Sequence, residues 1–393
     1  MIFQRKQKKA EADKWMFFMP PRDNAVTVQQ PFDVYLFFTT LMLILIGVLM
    51  IFSSSAILAQ EKYGDTYYFL KKELVFFTIG LGALFLARRI PYKSYEKWIY
   101  PLLGLNLLML VLCLVPPFGY TAGGASRWIK LGSFTLQPSE ITKILVVFFV
   151  AYMIAKKKEK MISFAKGFLP TMAIAGIFLA VILAQKDLGS AFVLGSVIMI
   201  MLFVSQTRSL YLISSLLLAS PALYYLIFSV SFRKRRILAF LDPWKYKMDY
   251  AFQIIQSFVA FKSGGLAGSG LGESKQKLFY LPEAHTDFIF SVLGEEFGMI
   301  GVIVVASLFL FFIFRGFRIA NKTTDPFGMF LALGITSLIG LQAFINFGVV
   351  MGLLPTKGLV LPFISYGGSS LVISMFAVGV LLNVSTQTGE EVE

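Results

Sequence analysis

Long apolar runs separated by short polar segments dominate the chain. Runs of about 17–25 apolar residues are long enough to cross a bilayer as helices. The pattern predicts ten such spans, at residues 34–57, 71–88, 97–116, 138–155, 166–184, 188–205, 209–230, 287–314, 327–350 and 360–383. Lys186 and Asp187 divide what would otherwise be one very long helix, so the two spans on either side of them are each close to the minimum length.

Composition places the chain among integral membrane proteins. Of its 393 residues, 57% are hydrophobic and only 15% are charged, whereas soluble domains carry about 25% charged residues. Its single cysteine excludes a disulfide framework and a thiolate metal site, and its single histidine excludes a histidine cluster. We therefore expect an all-α, polytopic membrane protein with about ten transmembrane helices and one long extracytoplasmic loop.

Basic residues between the spans predict the orientation, because cytoplasmic loops are enriched in lysine and arginine. The predicted transmembrane domain is 34–384, with a cytoplasmic tail 1–33 before it and an acidic cytoplasmic tail 385–393 after it. No cleavable signal peptide is visible. The exception to the rule is the basic loop 230–286, which would face outward. Its charge suits an anionic ligand, although a solvated charged loop is the alternative. The basic residues that set this orientation lie at 88–97, 156–166 and 315–322.

The junction Leu278–Gly298 concentrates ionisable residues where that loop meets a predicted helix. A helix from Thr286 would place Asp287, Ser291 and Glu295 on one face, with Glu295 about 12 Å deeper along the axis. Carboxylates at the edge of a bilayer are functional candidates. The alternative is that Thr286 or Asp287 merely caps the helix.

A second polar group lies in residues 123–143, where Glu140 and Lys143 have the i,i+3 spacing of a helical ion pair. Arg127 and Lys130 in the preceding outer loop could contact phosphate, arginine through two parallel hydrogen bonds. A simple buried ion pair is the alternative interpretation of Glu140 and Lys143.

Three further segments carry weaker signals. Lys357 is a lone outer cation, and the run of glycine and serine that contains Ser369 is typical of close helix packing. Residues 185–187 form a polar break of the kind found at midplane sites. The glycine-rich segment 262–277 lacks the phosphate-loop pattern, so we expect it to be flexible.

The residues exclude several kinds of chemistry. The chain has neither a second histidine nor a G-x-S-x-G elbow, and Glu283-Ala-His285-Thr-Asp287 is not the zinc-protease motif. A carboxylate beside cations suits a general base or a ligand for a hard divalent ion, acting on a lipid-linked phosphate. It suits equally a transporter whose carboxylates carry protons.

Three motifs resemble signature segments of the SEDS family (shape, elongation, division and sporulation): KQKLFYLPEAHTDFIFSVLGEEFG, GASRWIKLGSFTLQPSEITK and LPTKGLVLPFISYGGSS. The resemblance covers about residues 34–384 and is closer to the FtsW-like cell-division branch than to the RodA-like elongation branch. It implies a glycosyltransferase that polymerises lipid II at the outer face of the bacterial cytoplasmic membrane, at the division septum. The implied partners are a class B penicillin-binding protein and other division proteins, with no nucleic acid.

The resemblance also implies roles for individual residues. Asp287 corresponds to the family's catalytic aspartate, which we expect to have a pKa lowered by nearby cations, and a divalent cation (Mg²⁺ or Mn²⁺) at Asp287 is a candidate cofactor. The family's Q-P-D-L-G motif has Lys186 in place of its proline, which should relax that break. A lipid flippase and a non-catalytic division scaffold are the alternatives. Glu140 and Lys143 correspond to the family's cavity glutamate and lysine. Together with residues singled out by their own chemistry, the predicted substrate-binding residues are Arg127, Lys130, Glu140, Lys143, Glu283, His285, Lys357 and Ser369.

Overall fold

The computed structural model describes residues 31–115, 118–122, 125–131, 134–246, 251–278, 280–356 and 358–387. Most of the basic N-terminal tail, most of the acidic C-terminal tail and Lys357 lie outside them. The helices are α1 (Val34–Tyr63), α2 (Tyr68–Arg89), α3 (Tyr95–Leu112), α4 (Pro138–Lys157), α5 (Leu169–Ala184), α6 (Leu188–Val204), α7 (Ser209–Phe228), α8 (Ser231–Leu241), α9 (Phe252–Gly264), α10 (Ile289–Lys322), α11 (Pro326–Val350) and α12 (Gly368–Ser385).

Each predicted span overlaps one of these helices, which confirms a polytopic helical membrane protein. The last span, predicted at 360–383, begins as a helix only at Gly368, because residues 360–367 form turns and irregular structure, and α10 continues beyond the predicted residue 314 to Lys322. In the described part of the chain, seven helices are individually long and apolar enough to cross a membrane. The pair Tyr68–Arg89 and Tyr92–Leu112 passes the same test only together and is bent by 90°, and α6 has 17 residues. The number of spans, ten, therefore stays a prediction.

The most buried spans are α4, α11 and α12, whereas α7 lies almost wholly exposed at the periphery. Small residues allow close helix approach: a Cβ at Gly379 of α12 would lie 2.3 Å from Leu84 O of α2. Such contacts suit a membrane interior, where association depends on tight packing. The core therefore lies around α4, α11 and α12.

A three-stranded antiparallel sheet, absent from the predictions, joins α3 to α4. Its strands are β1 (Gly119–Ala122), β2 (Ala125–Leu131) and β3 (Phe134–Leu136), in the order β1-β2-β3. The pairing of β1 with β2 skips Arg127, because Tyr120 is opposite Trp128 while the next residue, Thr121, is opposite Ser126, as at a β-bulge. The hydropathy pattern misses strands this short because it responds mainly to the long apolar spans.

The segment predicted as a long polar loop contains two helices, α8 and α9. Helix α9 packs closely on α10: a Cβ at Gly264 would lie only 2.0 Å from Gly294 O, so the approach requires glycine at this position. This region is therefore a structured part of the fold.

The glycine-rich segment 262–277 is held in place, so its predicted flexibility is wrong. Glu295 accepts hydrogen bonds from the backbone N–H groups of Lys275 (3.1 Å) and Gln276 (3.3 Å). Glu296 forms an ion pair with Lys277 at 2.8 Å. These buried carboxylates bind the segment to the first turns of α10.

Candidate active site

Asp287 precedes helix α10 and is not part of it. The helix begins at Ile289, and the N-cap position, Phe288, makes no side-chain capping bond. The predicted helical face starting at Asp287 and the capping interpretation are therefore both wrong. Consecutive turns replace the first helical turn: Glu283 has a positive φ of 58°, and its carbonyl accepts from Thr286 N at 3.1 Å.

The Asp287 carboxylate and the Arg127 guanidinium flank a space above Gly358. A Cβ at Gly358 would lie 3.3 Å from Asp287 Oδ2 and 4.0 Å from Arg127 Nη2. The Nε atom of Arg127 is buried and has no hydrogen-bond partner among the described residues. A donor in this state, beside a carboxylate, is available to an anionic ligand.

Arg127 is held from its other side by Asp187. The Arg127 Nη1 and Asp187 Oδ1 atoms lie 3.6 Å apart, and the Asp187 carboxylate caps α6 by accepting from Ser190 N at 3.1 Å. Lys186 has a positive φ of 64°, a conformation closed to proline, whose φ is fixed near −65°. The polar break therefore orients Arg127 through Asp187, which lies at the N-terminus of α6.

Arg236 of α8 is a site residue that sequence reasoning missed. Its Nη1 atom donates to Thr356 O at 3.4 Å, and its charge acts on the Asp287 carboxylate. The available signal was the basic run 233–236, which indicated only a charged loop. Folding of that run into α8 brings this one arginine to the site.

The pKa of Asp287 is raised to about 7, and the expectation of a lowered pKa is wrong. Burial is the largest cause, because it disfavours the charged carboxylate, and the charge of Glu283 adds to it. Arg127 and Arg236 act in the opposite direction but do not outweigh burial. A carboxylate with a pKa near neutrality is well suited to accept a proton.

Glu140, Lys143 and Ser370 form a second polar cluster. The predicted ion pair is present, with 2.7 Å between Lys143 Nζ and Glu140 Oε1 and both side chains almost fully buried. Ser370 Oγ donates to Glu140 Oε2 at 3.2 Å. The serine in this cluster is therefore Ser370, and Ser369 is its buried neighbour.

His285 packs against two aromatic rings that also contact each other, with 5.1 Å between the ring centroids of Phe69 and Tyr366. Its ring centroid lies 4.8 Å from that of Phe69 and 5.8 Å from that of Tyr366. Burial lowers the pKa of His285 below its ordinary value of 6.5, so the imidazole is neutral at pH 7. The structure thus gives His285 a packing role, and its role in substrate binding stays a prediction.

Three predicted substrate contacts remain: Glu283, Lys130 and Lys357. The Glu283 carboxylate accepts from Thr286 Oγ1 at 2.8 Å. Lys130 is exposed on β2, the strand that also carries Arg127. Lys357 cannot be placed, because it lies outside the described residues.

The side chains of the site do not form a complete metal-binding group by themselves. Among the described residues, no three His, Cys, Asp or Glu side chains form a group that could hold a metal ion. Mg²⁺ often needs fewer, since it binds through one or two carboxylates together with substrate phosphates. Asp287 and the nearby Glu283 are the residues that fit this second mode.

Comparison with known proteins gives consistent matches over almost the whole chain. Residues 34–390 match the family model of the FtsW/RodA/SpoVE cell cycle proteins. A probable peptidoglycan glycosyltransferase FtsW from Geobacter metallireducens is 51% identical over 356 residues, which cover 91% of this chain and 95% of the relative. The stage V sporulation protein E of Bacillus subtilis is 41% identical over 353 residues, covering 90% and 96%.

Two solved structures are similar to the described fold. A structure of a peptidoglycan synthase complex that coordinates polymerization and crosslinking matches with a TM-score of 0.74 and 27% identity, covering 90% of this chain and 97% of the other. The rod shape determining protein RodA of Thermus thermophilus matches with a TM-score of 0.67 and 25% identity, covering 92% and 98%.

Proposed function

Because this chain belongs to the FtsW/RodA/SpoVE family of cell cycle proteins, we infer that it is a peptidoglycan glycosyltransferase that polymerises lipid II. Its 51% identity to an FtsW relative exceeds its 41% identity to a sporulation relative and its 25% identity to a RodA structure. These values support the cell-division branch and septal cell-wall synthesis.

The mechanism is based on one observation: the Asp287 carboxylate, whose pKa is raised, and the Arg127 guanidinium lie on either side of the space above Gly358. We propose that Asp287 takes the proton from the acceptor's sugar hydroxyl, which attacks the anomeric carbon of the donor. Undecaprenyl pyrophosphate leaves as the new bond forms. A single displacement converts an α linkage into a β linkage, so no covalent glycosyl-enzyme is required.

Arginine supplies the charge that the leaving group needs. Arg127 has a buried Nε without a partner among the described residues, and Arg236 reaches the same site from α8. We propose that both bind the pyrophosphate, with exposed Lys130 at the rim. Two guanidinium groups stabilise negative charge that develops on the leaving oxygen. Lys143 is held by Glu140, so we assign that pair to maintaining the cavity beside the pyrophosphate.

A divalent cation is the proposed cofactor. Asp287 and Glu283 would hold it together with the pyrophosphate oxygens, since the protein offers no larger donor group among its described residues. When bound, such an ion polarises and neutralises phosphate oxygens. The charge of the two arginines serves the same end without it.

We propose that the protein works with a class B penicillin-binding protein and other division proteins. Similarity to a complex that coordinates polymerization and crosslinking supports a crosslinking partner. We also propose that both termini are cytoplasmic and that α10 begins at the outer face of the bacterial cytoplasmic membrane, which the distribution of basic residues supports. Lipid II then reaches Asp287 from the outer leaflet.

Polymerisation of purified lipid II tests this function. The purified protein, with its penicillin-binding partner, is compared with its Asp287→Asn variant, which keeps the shape of the side chain but cannot act as a base. We expect long glycan chains from the wild type and none from a folded, partner-bound variant. Equal polymerisation by both would remove Asp287 from the mechanism, and no polymerisation by either would favour the flippase or the scaffold.

A further inference from the structure

The backbone around Asp287 is held at three successive carbonyl groups. Tyr366 N donates to His285 O at 3.0 Å, and Ser365 Oγ donates to Thr286 O at 2.6 Å. The third bond runs from Asn346 Nδ2 to Asp287 O, at 2.9 Å. All three donors come from outside the loop, so its position depends on tertiary contacts.

Asn346 is the central member of this arrangement. Its Nδ2 atom also donates to Leu359 O at 2.7 Å, so one amide group joins the Asp287 loop to the segment beside Gly358. Both contacted atoms are carbonyl oxygens, so the amide must present its nitrogen to them. Asn346 is 2% exposed and lies in the apolar helix α11, where burying a polar side chain costs free energy unless the group is hydrogen-bonded. Such residues inside membrane helices are candidates for a functional role.

We propose that Asn346 and Ser365 are positioning residues that fix the Asp287 carboxylate relative to Arg127 and the space above Gly358. This inference rests on the proposed function, since it concerns the base of that reaction. A hydrogen bond to the carbonyl of Asp287 itself limits rotation of the residue that carries the reacting group. Misplacement by about 1 Å can lower a rate about a hundredfold.

Ser365 both donates and accepts. Its hydroxyl oxygen accepts from Leu361 N at 2.9 Å while the hydroxyl hydrogen is donated to Thr286 O. The serine therefore fixes the turn that contains it and the Asp287 loop at once. Removal of either Asn346 or Ser365 should leave the other contacts of the loop in place, so we expect a displaced carboxylate rather than an unfolded protein.

Two variants of Asn346 and a matched control test the proposal. Asn346→Ala removes the donor, and Asn346→Asp replaces it with an acceptor that repels both carbonyls. The control is Asn383→Ala in α12, since Asn383 is also buried, accepts from Tyr92 N at 2.8 Å and donates to Arg88 O at 2.6 Å. This asparagine holds the opposite end of the helix bundle and lies far from Asp287 in the fold.

The first readout is the rate of lipid II polymerisation by the complex, measured as a function of lipid II concentration. We expect Asn346→Ala to lower kcat by about tenfold or more with KM changed by less than about twofold, and Asn346→Asp to be worse. A lower kcat at an unchanged KM indicates that the reacting group is displaced while the substrate still binds.

A merely structural role predicts a different outcome. Asn346→Ala and Asn383→Ala would then lower kcat to the same extent, which would overturn the proposal. If Asn346→Ala fails to fold, Ser365→Ala provides the same measurement through a separate bond.

Deuterium exchange separates failure of this proposal from failure of the proposed function, because it requires no activity. Amide groups in residues 283–288 should exchange at least about tenfold faster in Asn346→Ala than in the wild type. Asn383→Ala should leave exchange in this segment unchanged. Unchanged exchange in Asn346→Ala would refute the positioning role even for an active enzyme. If exchange is faster in Asn346→Ala but the wild type does not polymerise lipid II, the result would support the positioning role and refute the proposed function.

Discussion

The raised pKa of Asp287 predicts that this residue lowers the stability of the protein above neutral pH. In the folded state its pKa is about 7, whereas the ordinary value, which applies to the unfolded chain, is 3.8. Below about pH 4 the carboxyl is protonated in both states, so its titration does not change the free energy of unfolding. Above about pH 7 the unfolded chain releases the proton readily while the folded state must hold a partly buried charge. The free energy of unfolding therefore falls as the pH rises through this window.

The size of the effect follows from the two pKa values. A tenfold change in proton affinity is worth about 1.4 kcal/mol, so the difference corresponds to about 4 kcal/mol once the pH exceeds the folded pKa. Asp287→Asn removes the titration. We expect the variant to be more stable than the wild type by about 4 kcal/mol near pH 8 and nearly equal to it near pH 4. The residue required for activity would then be one that lowers stability, as is common at active sites.

Heat unfolding of the purified protein, followed at several pH values, measures this difference. A stabilisation of about 4 kcal/mol should raise the midpoint by roughly 5 °C in a chain of this size. Asp65→Asn is a suitable control, because the Asp65 side chain, between α1 and α2, is 36% exposed and its pKa is lowered by a hydrogen bond from Lys71. The control should gain no stability at high pH. An Asp287→Asn variant whose advantage is the same at both ends of the pH range would refute the reasoning.

Three further predictions concern activity and the second cluster. The initial rate of polymerisation should rise with pH, with a midpoint near pH 7. The midpoint should fall in Glu283→Gln, because the charge of Glu283 raises the pKa of Asp287, and rise in Arg127→Ala, because the charge of Arg127 lowers that pKa. Midpoints that do not move in these variants would contradict the prediction. Lys143→Met should destabilise the protein by about 3–5 kcal/mol, because it leaves the Glu140 carboxylate buried without its partner. Adding Glu140→Gln to this variant should recover most of the lost stability. If the two substitutions instead lower the stability additively in heat unfolding, the residues are not a coupled pair. Removal of divalent cations with a chelator should lower the rate of polymerisation, because only the two arginines would then neutralise the pyrophosphate, and added Mg²⁺ or Mn²⁺ should restore the rate. Full activity without divalent ions would exclude the proposed cofactor.

The sequence by itself determined those features that depend on local geometry and on the solvent. A span must be apolar over its whole length because a bilayer offers no water to its side chains, so the hydropathy pattern located the helices. Glu140 and Lys143 meet because residues three apart in a helix share a face. Asp287 stood out as a carboxylate at the boundary of an apolar run, although the sequence misplaced the start of its helix.

Only the tertiary structure decided what these residues can do. The pKa of Asp287 depends on burial and on charges from four separate parts of the chain, and burial outweighs both Arg127, which the sequence singled out, and Arg236, which it did not. Arg236 reaches the site only because α8 folds back over it, and Asn346 holds the Asp287 loop across 59 residues of sequence. Spacing along the chain sets contacts within one helix, but the electrostatic environment of a group depends on which distant elements pack around it.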